Sequence, residues 1–94
     1  MKINNQEIKF EFRFKQVAEL CKVKGIDLDQ LEAVAKDFTN APLILSIGAG
    51  ISLDEATDLI QNDERGFKAI TEVLQEFSNQ VVSWINPNLL SQTD

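Results

Sequence analysis

The stretch that decides the fold is Glu7-Ile8-Lys9-Phe10-Glu11-Phe12-Arg13-Phe14, in which charged and apolar side chains alternate without interruption. Successive side chains on a β-strand point to opposite faces, so the alternation predicts a strand with its four apolar side chains on one face. Upstream, Lys2-Ile3 and Asn4-Asn5 predict a short first strand and a tight turn, because Asn tolerates the positive φ angles of hairpin turns. We therefore expect a β-hairpin over residues 1–13, covered either by the helices that follow or by another chain.

After the hairpin the apolar residues recur at helical spacing, which predicts four to five helices over residues 14–85. The predicted helices run from Phe14 to Gly25, from Asp27 to Asn40, from Asn40-Ala41-Pro42 to Gly48, from the Ser52 to Glu55 capping box to Ile60, and from Asn62 or Asp63 to Ile85. The third of these, with Leu43-Ile44-Leu45-Ser46-Ile47, has no polar face. We expect it either at the centre of the core or under another subunit.

Apolar residues of the last helix recur at alternating steps of three and four, the spacing of a heptad seam. They are Phe67, Ile70, Leu74, Phe77, Val81 and Trp84. The seam covers only about two and a half heptads, and Val73, Val82 and Ile85 widen it, so a helix packed along its own core is favoured over a coiled coil. The wider stripe leaves room for a partner near Trp84 and Ile85. Pro87 ends the helix, and residues 86–94 are predicted to form a flexible tail.

The sequence thus predicts one α+β domain over residues 1–94, mainly α, in which a short β-hairpin precedes a small helical bundle. Fifteen acidic and nine basic side chains give a net charge of −6, which disfavours binding to nucleic acid or to anionic membranes. The longest apolar run, residues 41–51, is far short of the roughly 20 residues that span a bilayer. With one cysteine, Cys21, we expect an intracellular protein without a disulfide.

Residues that carry chemistry are scarce. The absence of histidine removes the commonest general base and transition-metal ligand, and a single cysteine excludes zinc and iron–sulfur sites. Asp54, Glu55 and Asp58 are more simply explained as a solvated helix N-terminus than as an acid–base pair or a cation site. Gly48-Ala49-Gly50 lacks the Lys and Ser/Thr of a phosphate loop. We therefore predict no enzymatic activity, no cofactor and no metal.

Basic side chains are concentrated in the first quarter of the chain, and the remainder is strongly acidic. This asymmetry suits head-to-tail stacking of subunits or an acidic face offered to a basic partner. An ordinary solvated surface explains the same charges equally well.

The layout as a whole resembles the small tail assembly chaperones of long-tailed bacteriophages and prophages. Ile3-Asn4-Asn5-Gln6-Glu7-Ile8-Lys9-Phe10 stands where that family has a hairpin of the form Ile-Asn-Gly-Lys-x-Tyr-x-Leu-x-Phe, and Phe14 to Leu20 stands in the first helix. The segments Ile51 to Ile60 and Phe67 to Phe77 resemble the capped short helix and the terminal helix. The chain departs from the pattern at Asn5, where glycine is typical, and at Ile8, where an aromatic residue is common.

The resemblance implies a non-enzymatic protein of the bacterial host cytoplasm that keeps the tape measure protein soluble while the tail tube assembles. It also implies contact with the tail tube protein, through a C-terminal extension that frameshifting adds to a minority of copies. An acidic regulatory protein with one protein target, of the antitoxin or anti-repressor type, is the alternative.

No site residue follows from the family, so the contact residues are predicted from apolar and aromatic groups near the ends of elements. They are Phe10, Phe12, Ile44, Ile47, Val81, Trp84, Ile85 and Leu89. Self-association into a homo-oligomer is a further possibility that the apolar third helix leaves open.

Overall fold

The computed structural model describes residues 1–85 and confirms a mainly helical fold with a short N-terminal hairpin. The strands are β1 (Lys2–Ile3) and β2 (Gln6–Glu7), and the helices are α1 (Phe14–Lys24), α2 (Leu31–Lys36), α3 (Ala41–Ala49), α4 (Leu53–Asn62) and α5 (Phe67–Ile85). Single 3₁₀ turns, Leu28–Gln30 and Phe38–Asn40, lead into α2 and α3. The predicted tail over residues 86–94 lies outside the described residues.

The hairpin forms where the sequence predicts it but is shorter than the expected residues 1–13. The two strands pair antiparallel, with Lys2 opposite Glu7. Asn4 and Asn5 form the turn with φ angles of 53° and 62°, the left-handed backbone that Asn was predicted to supply. Strand β2 ends at Glu7, and backbone pairing ends one residue later, where the N–H of Ile8 donates to the carbonyl of Met1 at 2.7 Å. The alternating stretch is therefore mostly not a strand in a sheet.

The rest of that stretch, residues 8–13, is an extended segment laid across the helices, which we call the strap. The side-chain amide of Gln80 on α5 takes the place of a neighbouring strand. Its Oε1 accepts from the N–H of Phe12 at 2.6 Å, and its Nε2 donates to the carbonyl of Phe10 at 3.1 Å. On the other edge, the N–H of Glu11 donates to the carbonyl of Gly48 on α3 at 2.9 Å. Three backbone groups of the strap are therefore bonded to α3 and α5, and of the two predicted coverings, by helices or by another chain, the structure shows the helices.

Helix α3 lies at the centre of the core, which decides between its two predicted environments. Its buried residues are Ala41, Ile44, Leu45, Ile47 and Gly48. It contacts α1, α4 and α5, so its apolar circumference is covered within one chain. Gly48 is needed there because a Cβ would come within 3.0 Å of three ring atoms of Phe10 in the strap.

Local signals predicted the end of α1 and the starts of α3 and α4 correctly, but the single helix predicted from Asp27 to Asn40 is wrong, because only Leu31–Lys36 is α-helical and a 3₁₀ turn lies on each side. Gly25 closes α1 with a left-handed φ of 66°, and Pro42 lies in the first turn of α3. The Ser52 hydroxyl accepts from the N–H of Glu55 at 3.1 Å, the N-terminal half of the predicted capping box.

The faces of the helices differ from the prediction at several positions. The large apolar residues Phe14, Leu28, Phe38 and Leu53 are exposed, although their helical spacing from buried residues such as Val17, Leu31 and Ala56 predicts that they face the core. On α5 the buried residues are Ala69, Val73, Phe77 and Val81, so the core stripe shares only Phe77 and Val81 with the predicted seam. Phe67 and Trp84, at the two ends of that seam, are exposed. The favoured expectation, a helix packed along its own core, is confirmed.

The turn before α5 carries a polar cluster that the sequence did not predict. The prediction that the last helix starts at Asn62 or Asp63 is wrong, because α5 begins only at Phe67. The Asp63 carboxylate, 3 % exposed, accepts a bidentate pair of bonds from Arg65 at 2.9 and 3.0 Å and a third from the N–H of Asn4 at 2.6 Å. Arg65 also donates to the carbonyl of Lys2 at 2.7 Å. These bonds fasten the hairpin to the helical bundle.

Candidate functional site

A groove lies between α2, with the 3₁₀ turn before it, and the C-terminal half of α5. It has a volume of 950 Å³. Its apolar lining comes from both walls and consists of Leu28, Leu31, Ala35, Phe77, Val81, Val82 and Ile85. Leu31, Phe77 and Val81 belong to the core and form the floor, so the groove is continuous with the hydrophobic interior.

The upper walls of the groove expose large apolar side chains to solvent. Leu28 is 49 % exposed on one wall and Val82 is 48 % exposed on the other. The 3₁₀ geometry of residues 28–30 turns Leu28 away from the core stripe that Leu31 and Val34 continue. An apolar trough with exposed rims is the shape that receives an amphipathic helix.

The charges of the groove all lie on one wall. Asp27, Asp29 and Glu32 line the α2 side. The opposite wall, residues 77–85 of α5, contains no charged residue. Glu32 pairs with Lys36 at 3.3 Å, an exposed pair that contributes little stability and leaves the carboxylate accessible.

Two exposed aromatic pairs lie elsewhere along α5. Phe14, 68 % exposed, is 6.1 Å from Trp84 between ring centroids, and Phe38 is 5.6 Å from Phe67. Phe38 follows α2 and Phe67 begins α5, whereas residues 28–32 face the C-terminal end of α5. Helices α2 and α5 therefore run antiparallel, with the Phe38–Phe67 pair beyond one end of the groove.

The predicted contact residues separate into core and surface. Phe12 and Ile44 are fully buried and Ile47 is almost so. In this conformation the chain's own residues cover their side chains. Phe10 is half-buried against Gly48.

The remaining predicted residues lie on α5 or beyond it. Val81 and Ile85 line the groove, Val81 as a buried part of the floor and Ile85 half-buried in the wall. Trp84 is exposed, but it contacts Phe14 and lines a separate hollow beside the strap. Leu89 lies outside the described residues. Among the predicted residues that the structure describes, the groove brings together Val81 and Ile85, and the hollow beside the strap brings together Phe10, Phe12 and Trp84.

Sequence reasoning missed Leu28 and the acidic wall. Leu28 shares helical spacing with Leu31, so its exposure could not be read from periodicity alone. The asymmetry between an acidic segment, residues 27–32, and an uncharged one, residues 77–85, is visible in the sequence. Its meaning appears only when α2 and α5 form opposite walls.

The ionisable groups with shifted pKa values have structural explanations. Hydrogen bonds from the Arg65 side chain, followed by those from the N–H groups of Asn4 and Arg65, hold the pKa of Asp63 well below its ordinary value. Partial burial, with the charge of Asp27, raises the pKa of the Cys21 thiol. The described residues contain no cluster of three or more His, Cys, Asp or Glu side chains that could hold a metal ion. What the groove offers is apolar contact with charge on one side.

Within residues 1–85, no helix is both long enough and apolar enough to cross a membrane. Compared with models of protein families, with characterised proteins and with solved structures, the chain matches none.

Proposed function

We propose that this chain is a tail assembly chaperone of a long-tailed phage or prophage, and that it binds helical segments of the tape measure protein in the groove between α2 and α5. The observation that carries the proposal is the groove itself, with an apolar floor and exposed Leu28 and Val82 on opposite walls. The resemblance of the sequence layout to that family supplies the identity of the partner. The tail tube protein is the second partner that the resemblance implies.

The groove suits such a task for a physical reason. A long amphipathic helix without its assembly partners exposes an apolar stripe, and such stripes associate non-specifically in water. Covering the stripe with Leu28, Val82 and Ile85 removes apolar surface from water on both molecules. Each Å² buried contributes roughly 25 cal/mol before the costs of association, so a short contact gives reversible binding. Reversibility is what a helper that leaves the finished tail requires.

Co-expression with the tape measure protein of the same phage or prophage tests the proposal. The measured quantity is the fraction of tape measure protein that remains soluble and co-purifies with this chain. We expect Val82→Glu to abolish both, because a charge in the apolar wall must lose water when a helix docks. The fold should persist, since Val82 is half exposed.

Val23→Glu is the matched control. Both valines are exposed in the last turn of a helix, Val23 in α1 at 59 % and Val82 in α5 at 48 %. Val23 lies outside the groove. If the tape measure protein is equally soluble with the wild-type chain and without it, the proposal is contradicted. Tight binding to a single regulatory protein or toxin instead would establish the alternative of an acidic regulatory protein.

A further inference from the structure

The electrostatics of the groove narrow the kind of helix that it accepts. The α2 wall presents Asp27, Asp29 and Glu32, all exposed, and residues 27–32 contain no basic side chain. The α5 wall presents Ser78 and Val82, which carry no charge. A helix lying in the groove therefore meets negative charge along one border of its apolar stripe and a neutral surface along the other.

We propose that the groove selects amphipathic helices whose apolar stripe is bordered by Lys or Arg on one side only, the side that faces α2. This inference rests on the proposed function for the identity of the natural partner, but not for the chemistry of the groove. Opposite charges across an interface favour the correct partner and penalise acidic ones. Because the carboxylates are exposed at the rim, they govern selectivity and association rate more than total affinity.

The dimensions of the walls set the length of the recognised segment. Residues 77–85 of α5 span about 12 Å along the helix axis, which corresponds to slightly more than two turns. A bound helix therefore engages the groove with apolar residues at i, i+3 or i+4, and i+7, and its basic residues follow the same spacing on the adjacent border.

A second copy of this chain is the competing occupant. Helix α1 exposes two large apolar side chains, Phe14 and Val23, and carries the exposed basic residues Lys15 and Lys22. Nine positions at about 100° per residue put Phe14 and Val23 on opposite sides of α1, so these two side chains do not belong to one apolar stripe of the kind that the groove fits. The occupant is a helix of another protein, and sedimentation equilibrium distinguishes it from a second copy of this chain.

Three synthetic helical peptides of about 18 residues, longer than the groove, are suitable probes. All three carry the same leucine stripe, and the positions along one border are Lys, Gln or Glu. Binding to the full-length chain is measured by fluorescence anisotropy at low and high salt. We expect the Lys peptide to bind about tenfold more tightly than the Gln peptide at low salt, the effect of two to three exposed ion pairs, and the difference to shrink at high salt.

Neutralising the acidic wall identifies the source of the preference. In the triple variant Asp27→Asn, Asp29→Asn, Glu32→Gln, we expect the Lys and Gln peptides to bind equally. The matched control is the triple variant Asp54→Asn, Glu55→Gln, Asp58→Asn, which removes the same number of exposed charges from α4. It should keep the preference, because its carboxylates lie outside the groove.

Several results would overturn the inference. One is equal binding of the Lys and Gln peptides to the wild-type chain, and another is an equal loss of preference in the two triple variants. Failure of all three peptides to bind would also overturn it. Sedimentation equilibrium is the remaining measurement: conversion of a dimer to a monomer by Val82→Glu would assign the groove to a second copy.

The solubility assay with the tape measure protein distinguishes this failure from failure of the proposed function. If the wild-type chain solubilises the tape measure protein but the peptides are not discriminated, the function stands and the charge rule fails. If the Lys peptide is preferred but the tape measure protein stays insoluble, the charge rule stands and the natural partner is a different protein.

Discussion

Replacing Phe12 by alanine tests whether the alternating N-terminal stretch belongs to the core or to a partner surface. Phe12 is one of the largest fully buried side chains and meets Phe77 edge to face at 4.7 Å between centroids. A buried Phe to Ala change costs about 3–5 kcal/mol through lost transfer free energy and the cavity left behind. A domain of this size has about 5–14 kcal/mol of stability at typical values per residue. Phe12→Ala should therefore remove a large part of the total.

The assay is urea unfolding at equilibrium, followed by circular dichroism and by the fluorescence of Trp84, the single tryptophan. Thermal unfolding gives a second measure. A change of 1 kcal/mol shifts Tm by about 4–8 °C in a domain of this size, so Phe12→Ala should lower Tm by at least about 12 °C. Phe14→Ala is the control, because Phe14 stands two residues along the same stretch but is 68 % exposed. It should change the free energy of unfolding by less than about 1 kcal/mol.

The result that would refute this reasoning is a cost of less than about 1 kcal/mol for Phe12→Ala with an unchanged denaturant slope. That outcome would mean that Phe12 does not lie in the core in solution. It would restore the expectation of a sheet face that waits for a partner.

The other predictions concern the attachment of the N-terminal segment to the bundle. Gln80→Ala should cost about 1–3 kcal/mol, because it leaves two partly buried backbone groups of the strap without partners, and the exposed Gln75 on the same helix gives the control variant for the denaturation curves. Gly48→Ala should destabilise by about 1–3 kcal/mol through collision with the ring of Phe10, and a gain in Tm, as expected for Ala in an unhindered helix, would contradict the packing. Because the pKa of Asp63 is lowered on folding, its ion pair stabilises the fold above about pH 4 and this contribution is lost as pH falls toward the folded value. As the pH is lowered from 7 to 2, the Tm of the wild type should therefore fall more steeply than the Tm of Asp63→Asn. Parallel Tm curves would refute the link between the Asp63 ion pair and stability.

What the sequence predicted correctly depends on local chemistry. The Asn4-Asn5 turn, the glycine at the end of α1 and the Ser52 cap each act within a few residues, so their sequence signals suffice. The apolar composition of α3 likewise predicts a central helix or a covered one, and contacts with three other helices settle which.

What the sequence did not predict depends on contacts between distant residues. The alternation of residues 7–14 is equally suited to a strand and to an extended strap. The strap is held by the side chain of Gln80 and the carbonyl of Gly48, which lie far away in the sequence. Phe14 and Phe38 sit at the borders of helical stripes, where the neighbouring helices determine which apolar residue reaches the core. The sequence predicted only one wall of the groove, since α5 indicated a partner near Ile85. The second wall comes from residues 27–35, which no sequence signal connected with α5.

Docking of a tape measure helix in the groove is measured most directly by an NMR titration of the ¹⁵N-labelled chain with a helical fragment of the tape measure protein. We predict that amide shift changes concentrate in residues 27–35 and 77–85, and that Val82→Glu removes them while Val23→Glu does not. Shift changes concentrated on α1 or α4, or none at all with a fragment that the chain is known to keep soluble, would contradict binding in the groove.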